Sequence, residues 1–209
     1  MPRPDLSNAY ALKSADDCQW LYADWADSYD ADFAAAMAYR LPAETAASFL
    51  RMRPLAGPVL DVGAGTGLLA AALRAMGQQG AIDALDLSAA MLAEAGKKRL
   101  YRQLIEADVT RSLPVSGYAG IVSSGTFTHG HVGPEALAPL IAAALPGAVF
   151  ALSVNAVVWD DLGFDPALRA LGSITDLDQR AVAIYGQAAQ TRDPAHAADT
   201  ALIVTFRKS

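Results

Sequence analysis

Val59-Leu60-Asp61-Val62-Gly63-Ala64-Gly65-Thr66-Gly67-Leu68-Leu69 decides how the rest of the chain is read. A short apolar strand runs into a glycine turn, and the turn runs into an apolar helical segment. Glycines at a strand-to-helix turn expose backbone N–H groups and let a ligand approach the main chain. The spacing separates two cofactor classes. A dinucleotide turn has the form G-x-G-x-x-G, and its third glycine brings helix and strand together. Here the glycines are Gly63, Gly65 and Gly67, and Leu68 stands where that third glycine would fall. Asp61 sits at the mouth of the turn, where a carboxylate repels a pyrophosphate and suits an ammonium group. The turn is better built for an amino-acid-bearing cofactor than for NAD. The plain alternative is a glycine-rich turn of any α/β protein.

Downstream, the chain alternates strand and helix. A helix is expected from about Gly67 to Met76, closed by Gly77, then a strand over Ala81–Leu85 ending at Asp86. Ser88 can cap the next helix, which carries Met91, Leu92 and Ala95. A third strand near Leu104–Ala107 ends at Asp108. A fourth, Ala119–Ser123, leads into Ser124-Gly125-Thr126-Phe127-Thr128-His129-Gly130-His131. Pro134 opens a helix to Leu145, Pro146-Gly147 turns, and a fifth strand covers Ala148–Val154. Ala181–Tyr185 and Ala201–Phe206 read as a closing antiparallel pair. Alternating units of this kind imply a parallel sheet with helices on both faces. Ligands of such sheets bind at the carboxyl ends of the strands. Three successive strand ends carry an acid: Asp61, Asp86 and Asp108. Asp86 can accept both hydroxyls of a ribose. Asp108 can take an adenine amino proton while the Val109 N–H serves a ring nitrogen. Each of these acids also suits a turn or a helix cap.

Upstream, Ser14 to Tyr39 reads as helical. Ser14 is a candidate cap, Asp16 and Asp17 suit the first turn, and Trp20, Leu21, Trp25 and Tyr29 can form one apolar stripe. Pro42 fits the first turn of a helix over Ala43–Met52.

The 209 residues allow one α/β domain with a substantial core, or one domain with a small appendage. Hydrophobic residues make up 53% and charged residues 18%, which is a globular composition. The net charge is −6 and the longest basic run is Lys97-Lys98-Arg99, so a nucleic-acid partner is disfavoured. The single cysteine, Cys18, excludes an internal disulfide, reads as a packing residue and makes a cytoplasmic setting the default. Neither a signal-peptide core nor a membrane-spanning apolar run is expected.

Asp61 to Gly67, Asp86-Leu87-Ser88-Ala89-Ala90-Met91-Leu92, Ala107-Asp108 and Leu145-Pro146-Gly147 follow one order and spacing. Together they resemble the class I S-adenosylmethionine-dependent methyltransferases over about residues 55 to 155. Ala148 replaces the usual second glycine after Pro146-Gly147, a mild departure in a structural turn. Trp25-Ala26-Asp27-Ser28-Tyr29-Asp30, Tyr39-Arg40-Leu41-Pro42 and the loop Gly125 to Val132 are similar to the small bacterial relatives of the methyltransferase-like proteins of the Williams–Beuren region.

The resemblance implies a Rossmann-like, doubly wound, mostly parallel seven-stranded sheet with an antiparallel C-terminal strand. Residues 1–54 would form a helical lid and residues 55–209 the methyltransferase domain. Asp61 and the backbone of Gly63, Ala64, Gly65, Thr66 and Gly67 would face the methionine part of S-adenosylmethionine. Asp86 would bind ribose, Leu87 and Met91 would flank adenine, and Asp108 and Val109 would bind the base. Ser124 and Gly125 would line the floor near the sulfonium. Tyr29 and Tyr39 would cover it, since aromatic faces suit a cation, although core packing explains them equally well.

Methyl transfer requires a base only when the acceptor must lose a proton. His129 and His131 are the candidates, on a loop where acceptors sit in this fold. Loop fixation, surface exposure and metal binding with Asp160 and Asp161 are the alternatives. No metal is expected, because the ligand set is incomplete. The N/D-P-P-Y/F signature of amide- and nucleobase-methylating enzymes is replaced by Ser123-Ser124-Gly125-Thr126. Trp20, Trp25, Phe127, Trp159 and Phe164 offer apolar lining or core. The expectation is a small-molecule acceptor, with S-adenosylhomocysteine as the product and a monomer or homodimer as the working form. A protein methyltransferase, a non-catalytic S-adenosylmethionine-binding protein and an NAD-dependent oxidoreductase are the competing readings.

Overall fold

The computed structural model of the protein describes residues 25–130 and 132–209. The expected helical stretch from Ser14, with its cap, Cys18, Trp20 and Leu21, lies outside these residues, as does His131. One sheet of seven strands organises the rest: β1 (Val59–Val62), β2 (Ile82–Asp86), β3 (Leu104–Glu106), β4 (Tyr118–Phe127), β5 (Ala144–Asn155), β6 (Ile174–Ala183) and β7 (Thr200–Lys208). The strand order is β3-β2-β1-β4-β5-β7-β6. The ladders among β1 to β5 are parallel, and β7 runs antiparallel to both β5 and β6. The order turns back on itself between β1 and β4, and a crevice opens at the carboxyl ends there.

Local chemistry sets the elements that flank this crevice. All four residues of β1 are buried, as a central parallel strand covered on both faces requires. Helix α1 (Leu41–Arg51) carries Pro42 in its first turn and fully buries Phe49. Burying a side chain of that size contributes about 1.5–3 kcal/mol. Helix α2 (Leu68–Ala75) starts from Gly67, whose φ of 91° is left-handed. It ends in a Schellman closure: the Gly77 N–H donates to Arg74 O and the Gln78 N–H to Leu73 O. Helix α3 (Ala89–Lys97) is capped by the Ser88 hydroxyl, which accepts from Met91 N–H. Helices α4 (Leu137–Ala143), α5 (Ala156–Asp161) and α6 (Phe164–Ala170) and the short α7 (Ala189–Arg192) complete the set. One core cluster gathers Leu60, Leu140, Phe150, Phe164 and Phe206. Another gathers Phe49, Leu69, Leu73 and Val122, on α1, α2 and β4.

Four expectations are corrected. The strand expected over Ala181–Tyr185 starts seven residues earlier and covers Ile174–Ala183. The helix does not continue to Tyr39: the wide π-type turn Tyr29–Ala35 ends first, and Ala38 takes a φ of 49°. The Gly186 N–H donates to the carbonyls of Met37 and Ala38 and the Arg40 N–H donates to Ile184 O, which ties this stretch to the end of β6. Strand β4 runs on to Phe127, four residues beyond the expected end, because Phe127 still pairs with Val154. Pro146-Gly147 lies inside β5 instead of preceding it. Ala144 pairs with Tyr118 and Val149 with Gly120, so the intervening residues bulge out of the ladder at Gly147, whose φ is 79°.

Candidate active site

One cavity occupies the crevice at the carboxyl ends of β1, β2, β3 and β4. Its wall is made by residues 63–66, 85–88, 107–110 and 124–126, with Leu68, Leu69, Met91 and Val132. Tyr29, Tyr39 and Pro42 contribute from the N-terminal segment.

Asp86 ends β2 and is aimed by backbone donors. Its Oδ2 accepts the Gly65 N–H at 2.8 Å and its Oδ1 accepts the Ser88 N–H at 2.8 Å. The carboxylate thereby fastens the glycine turn to the start of α3. Burial pushes its pKa up, against the pull of these N–H groups. Asp108 forms an Asx turn: Oδ1 accepts the Thr110 N–H at 2.9 Å and the Thr110 hydroxyl at 2.6 Å, and Oδ2 accepts Arg111 Nε at 3.1 Å. The Thr110 hydroxyl is the main cause of its lowered pKa.

Asp61 lies inside β1 and is 1% exposed. Its Oδ2 accepts the Tyr101 hydroxyl at 2.6 Å, and its Oδ1 has no hydrogen-bond partner among the described residues. Burial pushes its carboxyl up to about 7; the Tyr101 hydrogen bond opposes the rise and the Asp86 charge adds to it. Gly63 follows with a φ of 62°, and a Cβ there would stand 2.0 Å from Thr126 Oγ1. Only glycine lets β4 close over the turn at this point.

The roof is aromatic. Tyr29 stacks edge-on against Trp25 at 5.2 Å and lies 4.9 Å from Phe33, and Phe33 lies 5.4 Å from Tyr39. Tyr185 closes the group against Phe33 and Tyr39. The Tyr39 hydroxyl points at the end of β4, 2.4 Å from where a Cβ on Gly125 would be. Burial raises its pKa to about 12, the neighbouring Ser124 hydroxyl opposing, so it stays a neutral donor. One polar bridge ties roof to wall. Asp30 Oδ1 accepts the Thr66 hydroxyl at 2.5 Å, and Asp30 Oδ2 accepts Lys98 Nζ at 2.5 Å.

Of the residues singled out in the sequence, Tyr29, Tyr39, Gly63, Ala64, Gly65, Thr66, Asp86, Leu87, Met91, Asp108, Val109, Ser124 and Gly125 share this cavity. Asp61, Gly67 and His129 do not line it. Asp61 stands at the root of the turn, Gly67 faces Tyr101, and the Nδ1 of His129 is buried. Among the described residues no three His, Cys, Asp or Glu side chains converge as metal ligands would. Sequence reasoning missed Tyr101, Thr126 and Thr110. It also gave no role to Asp30, although that residue closes the Trp25–Asp30 motif. Thr110 alone carried a local signal, as the second residue after an aspartate in a turn.

The arrangement suits an adenosyl amino acid. The carboxylates of Asp86 and Asp108 offer acceptors to hydroxyl and amino groups, and Leu87, Met91 and Val109 offer apolar faces. Asp61, 1% exposed and outside the cavity lining, places a carboxyl behind the turn.

The comparisons agree with that chemistry. Residues 59–146 match the family described as a methyltransferase domain. No curated protein matches the sequence. The chain is similar in fold to a candidate S-adenosyl-L-methionine-dependent methyltransferase from Methanococcus maripaludis, at 18% identity, covering 91% of this chain and 93% of that one, with a TM-score of 0.59. The plantazolicin methyltransferase BpumL in complex with S-adenosylhomocysteine (SAH) is similar at 14% identity, covering 88% of each chain, with a TM-score of 0.59. The [4+2]-cyclase SpnF is similar at 15% identity, covering 94% of this chain and 97% of that one, with a TM-score of 0.67. No helix among the described residues is long and apolar enough to cross a membrane. The chain thus matches a methyltransferase domain over residues 59–146, within a fold similar to that of these S-adenosylmethionine-dependent methyltransferase structures.

Proposed function

We propose that the protein transfers the methyl group of S-adenosylmethionine to a small-molecule acceptor held under the aromatic roof. The observation that carries this reading is the single cavity joining the glycine turn, Asp86, Asp108, the end of β4 and two roof tyrosines. S-adenosylmethionine supplies a methyl group on a sulfonium, so the protein's task is alignment and exclusion of water. Asp86 keeps free lone pairs for two ribose hydroxyls. Leu87 and Met91 flank the adenine; Asp108 and the Val109 N–H read its edge. Gly63, Ala64, Gly65 and Thr66 present backbone to the amino-acid part, and Asp61 places negative charge at the root of that turn. Ser124 and Gly125 form the floor, and Tyr29 and Tyr39 turn aromatic faces toward the cation.

Residues 1–54 act as the lid in this reading, and a covered cavity favours a small acceptor over a polypeptide or nucleic acid. His129 and His131 are the bases available to an acceptor that must lose a proton. The Gly125 to Val132 loop supports a place near the Williams–Beuren-region subgroup. Calorimetry with SAH, with NAD in parallel, tests the cofactor site, and Asp86→Ala is the control. Micromolar SAH binding that disappears in Asp86→Ala supports the reading, and NAD binding in its place overturns it. Methyl-labelled S-adenosylmethionine with pooled small metabolites then tests transfer. SAH binding without label transfer to any small acceptor overturns the acceptor class.

A further inference from the structure

We propose that Tyr101 is a positioning residue for the amino-acid half of the cofactor, orienting the Asp61 carboxylate at the root of the glycine turn. The inference rests on the cofactor reading above. Tyr101 belongs to the loop between α3 and β3, forty positions from Asp61, yet its hydroxyl donates to Asp61 Oδ2 at 2.6 Å. Its ring also packs on the far end of the turn: a Cβ on Gly67 would stand 3.1 Å from Cε2 and 3.2 Å from the hydroxyl oxygen. It further joins the small cluster of Ala64, Ala84 and Leu92. One side chain thus packs beside the turn at Gly67 and holds the acid that precedes it.

The loop that presents Tyr101 is itself pinned. The Arg102 N–H donates to Ile82 O at 2.7 Å, and the Arg102 guanidinium pairs with buried Asp83, donating from Nε at 2.9 Å. Arg99 turns the chain with a φ of 55°. Burial and the adjacent Asp61 raise the phenol pKa, so the hydroxyl remains a donor. Without it, the Asp61 carboxylate loses its one side-chain donor. The rotamer and the charge of the acid at the root of the turn are then no longer fixed.

Two probes separate this role from packing. SAH carries the ammonium group; 5′-methylthioadenosine has the same adenosine and thioether without the amino acid. Tyr101→Phe keeps the ring and removes only the hydroxyl. The expected result is about tenfold weaker SAH binding, as for loss of a hydrogen bond to a charged group, with 5′-methylthioadenosine unchanged within about twofold. Asp61→Asn keeps an oxygen for the Tyr101 hydroxyl and must show the same split. Tyr101→Phe added to Asp61→Asn must weaken SAH no further, since the two residues act through one contact. Parallel loss of both probes in Tyr101→Phe, or no loss of either, overturns the proposal, and so does a missing split in Asp61→Asn. Absence of SAH binding by the unaltered protein is a different result: it removes the cofactor reading, and this proposal with it.

Discussion

The two sides of the cavity are built by different rules. On the strand-end wall, Asp86 and Asp108 are held by backbone N–H groups, Ser88 and Thr110 two residues away and Gly65 on the adjoining turn. On the roof, Tyr29 and Tyr39 are held by other rings, and by a bridge in which Asp30 reaches Thr66 across 36 positions and Lys98 across 68. Charge-assisted bonds from backbone N–H groups are short and directional, whereas aromatic pairs hold over centroid separations of about 4.5–7 Å. In the proposed function, the wall recognises a constant cofactor, and the roof admits an acceptor and then covers it.

The contrast predicts that damage to the wall abolishes binding while damage to the roof only weakens it. Asp86→Ala is the largest expected effect. It leaves the Gly65 and Ser88 N–H groups without their carboxylate and, if Asp86 binds ribose as proposed, removes its acceptors, so SAH affinity falls about 100-fold or more by calorimetry. Retention of affinity within about threefold would dissolve the distinction between wall and roof.

Next come paired glycine substitutions. Gly63→Ala and Gly125→Ala both place a side chain at positive φ, 62° and 80° respectively. They differ in what the new methyl meets. At Gly63 it meets the short, branched Thr126, which is already bonded to Val62 O; at Gly125 it meets the tip of the long Tyr39 ring. Gly63→Ala is expected to cost about 2 kcal/mol and roughly 4–8 °C in Tm, with Gly125→Ala losing less than half of that. Equal losses in a thermal melt would mean that backbone strain governs both sites and that the roof yields no more than the wall.

The same contrast explains what the sequence made legible. The glycine turn, the Ser88 cap and the acids at the ends of β1 to β3 follow from patterns within a few residues, and they appear where expected. The parallel direction of the strands up to β5 is expected from the alternation of strand and helix. The contacts that cross the sheet left no such trace. Nothing local to Tyr101 points to Asp61, because the register of β2 against β1 brings them together. The end of the N-terminal helical stretch was misplaced because Met37 and Ala38 bond to Gly186, a partner no short window contains. Pro146-Gly147 reads as a terminator, yet the ladder with β4 resumes on both sides of it.

A smaller effect is set by pH. In the unfolded chain Asp61 titrates near ~4, and in the fold near about 7. Between those values the folded state binds more protons, so stability falls as pH rises from about 4 to about 7. The raised Asp86 adds to that slope, whereas the lowered Asp108 contributes stability that is lost in acid. Thermal melts of the free protein should therefore decline from pH 5.5 to 8, and Asp61→Asn should flatten the decline. An ammonium-bearing ligand favours the ionised carboxylate, so SAH affinity should rise from pH 6 to 8 by up to about tenfold. An affinity that does not change with pH would mean that Asp61 does not face the ammonium group and that the wall works through Asp86 and Asp108 alone.

The smallest expected effect belongs to the roof bridge, and it tests whether the two sides are coupled. Asp30 is 41% exposed and Lys98 27%, so water screens the ion pair and its contribution to stability is at most about 1 kcal/mol. The Thr66 hydroxyl bond is a different matter, since Thr66 is 3% exposed and sits within the glycine turn. Asp30→Asn keeps an oxygen for that hydroxyl and removes the charge; Asp30→Ala removes both. If the roof closes on the turn through Thr66, Asp30→Asn should leave SAH dissociation within about twofold, while Asp30→Ala should speed it about three- to fivefold, as loss of one neutral hydrogen bond implies. Stopped-flow displacement of SAH reads both rates. Equal acceleration in the two variants would assign the closure to the Lys98 pair, and raising salt should then reproduce it in the unaltered protein.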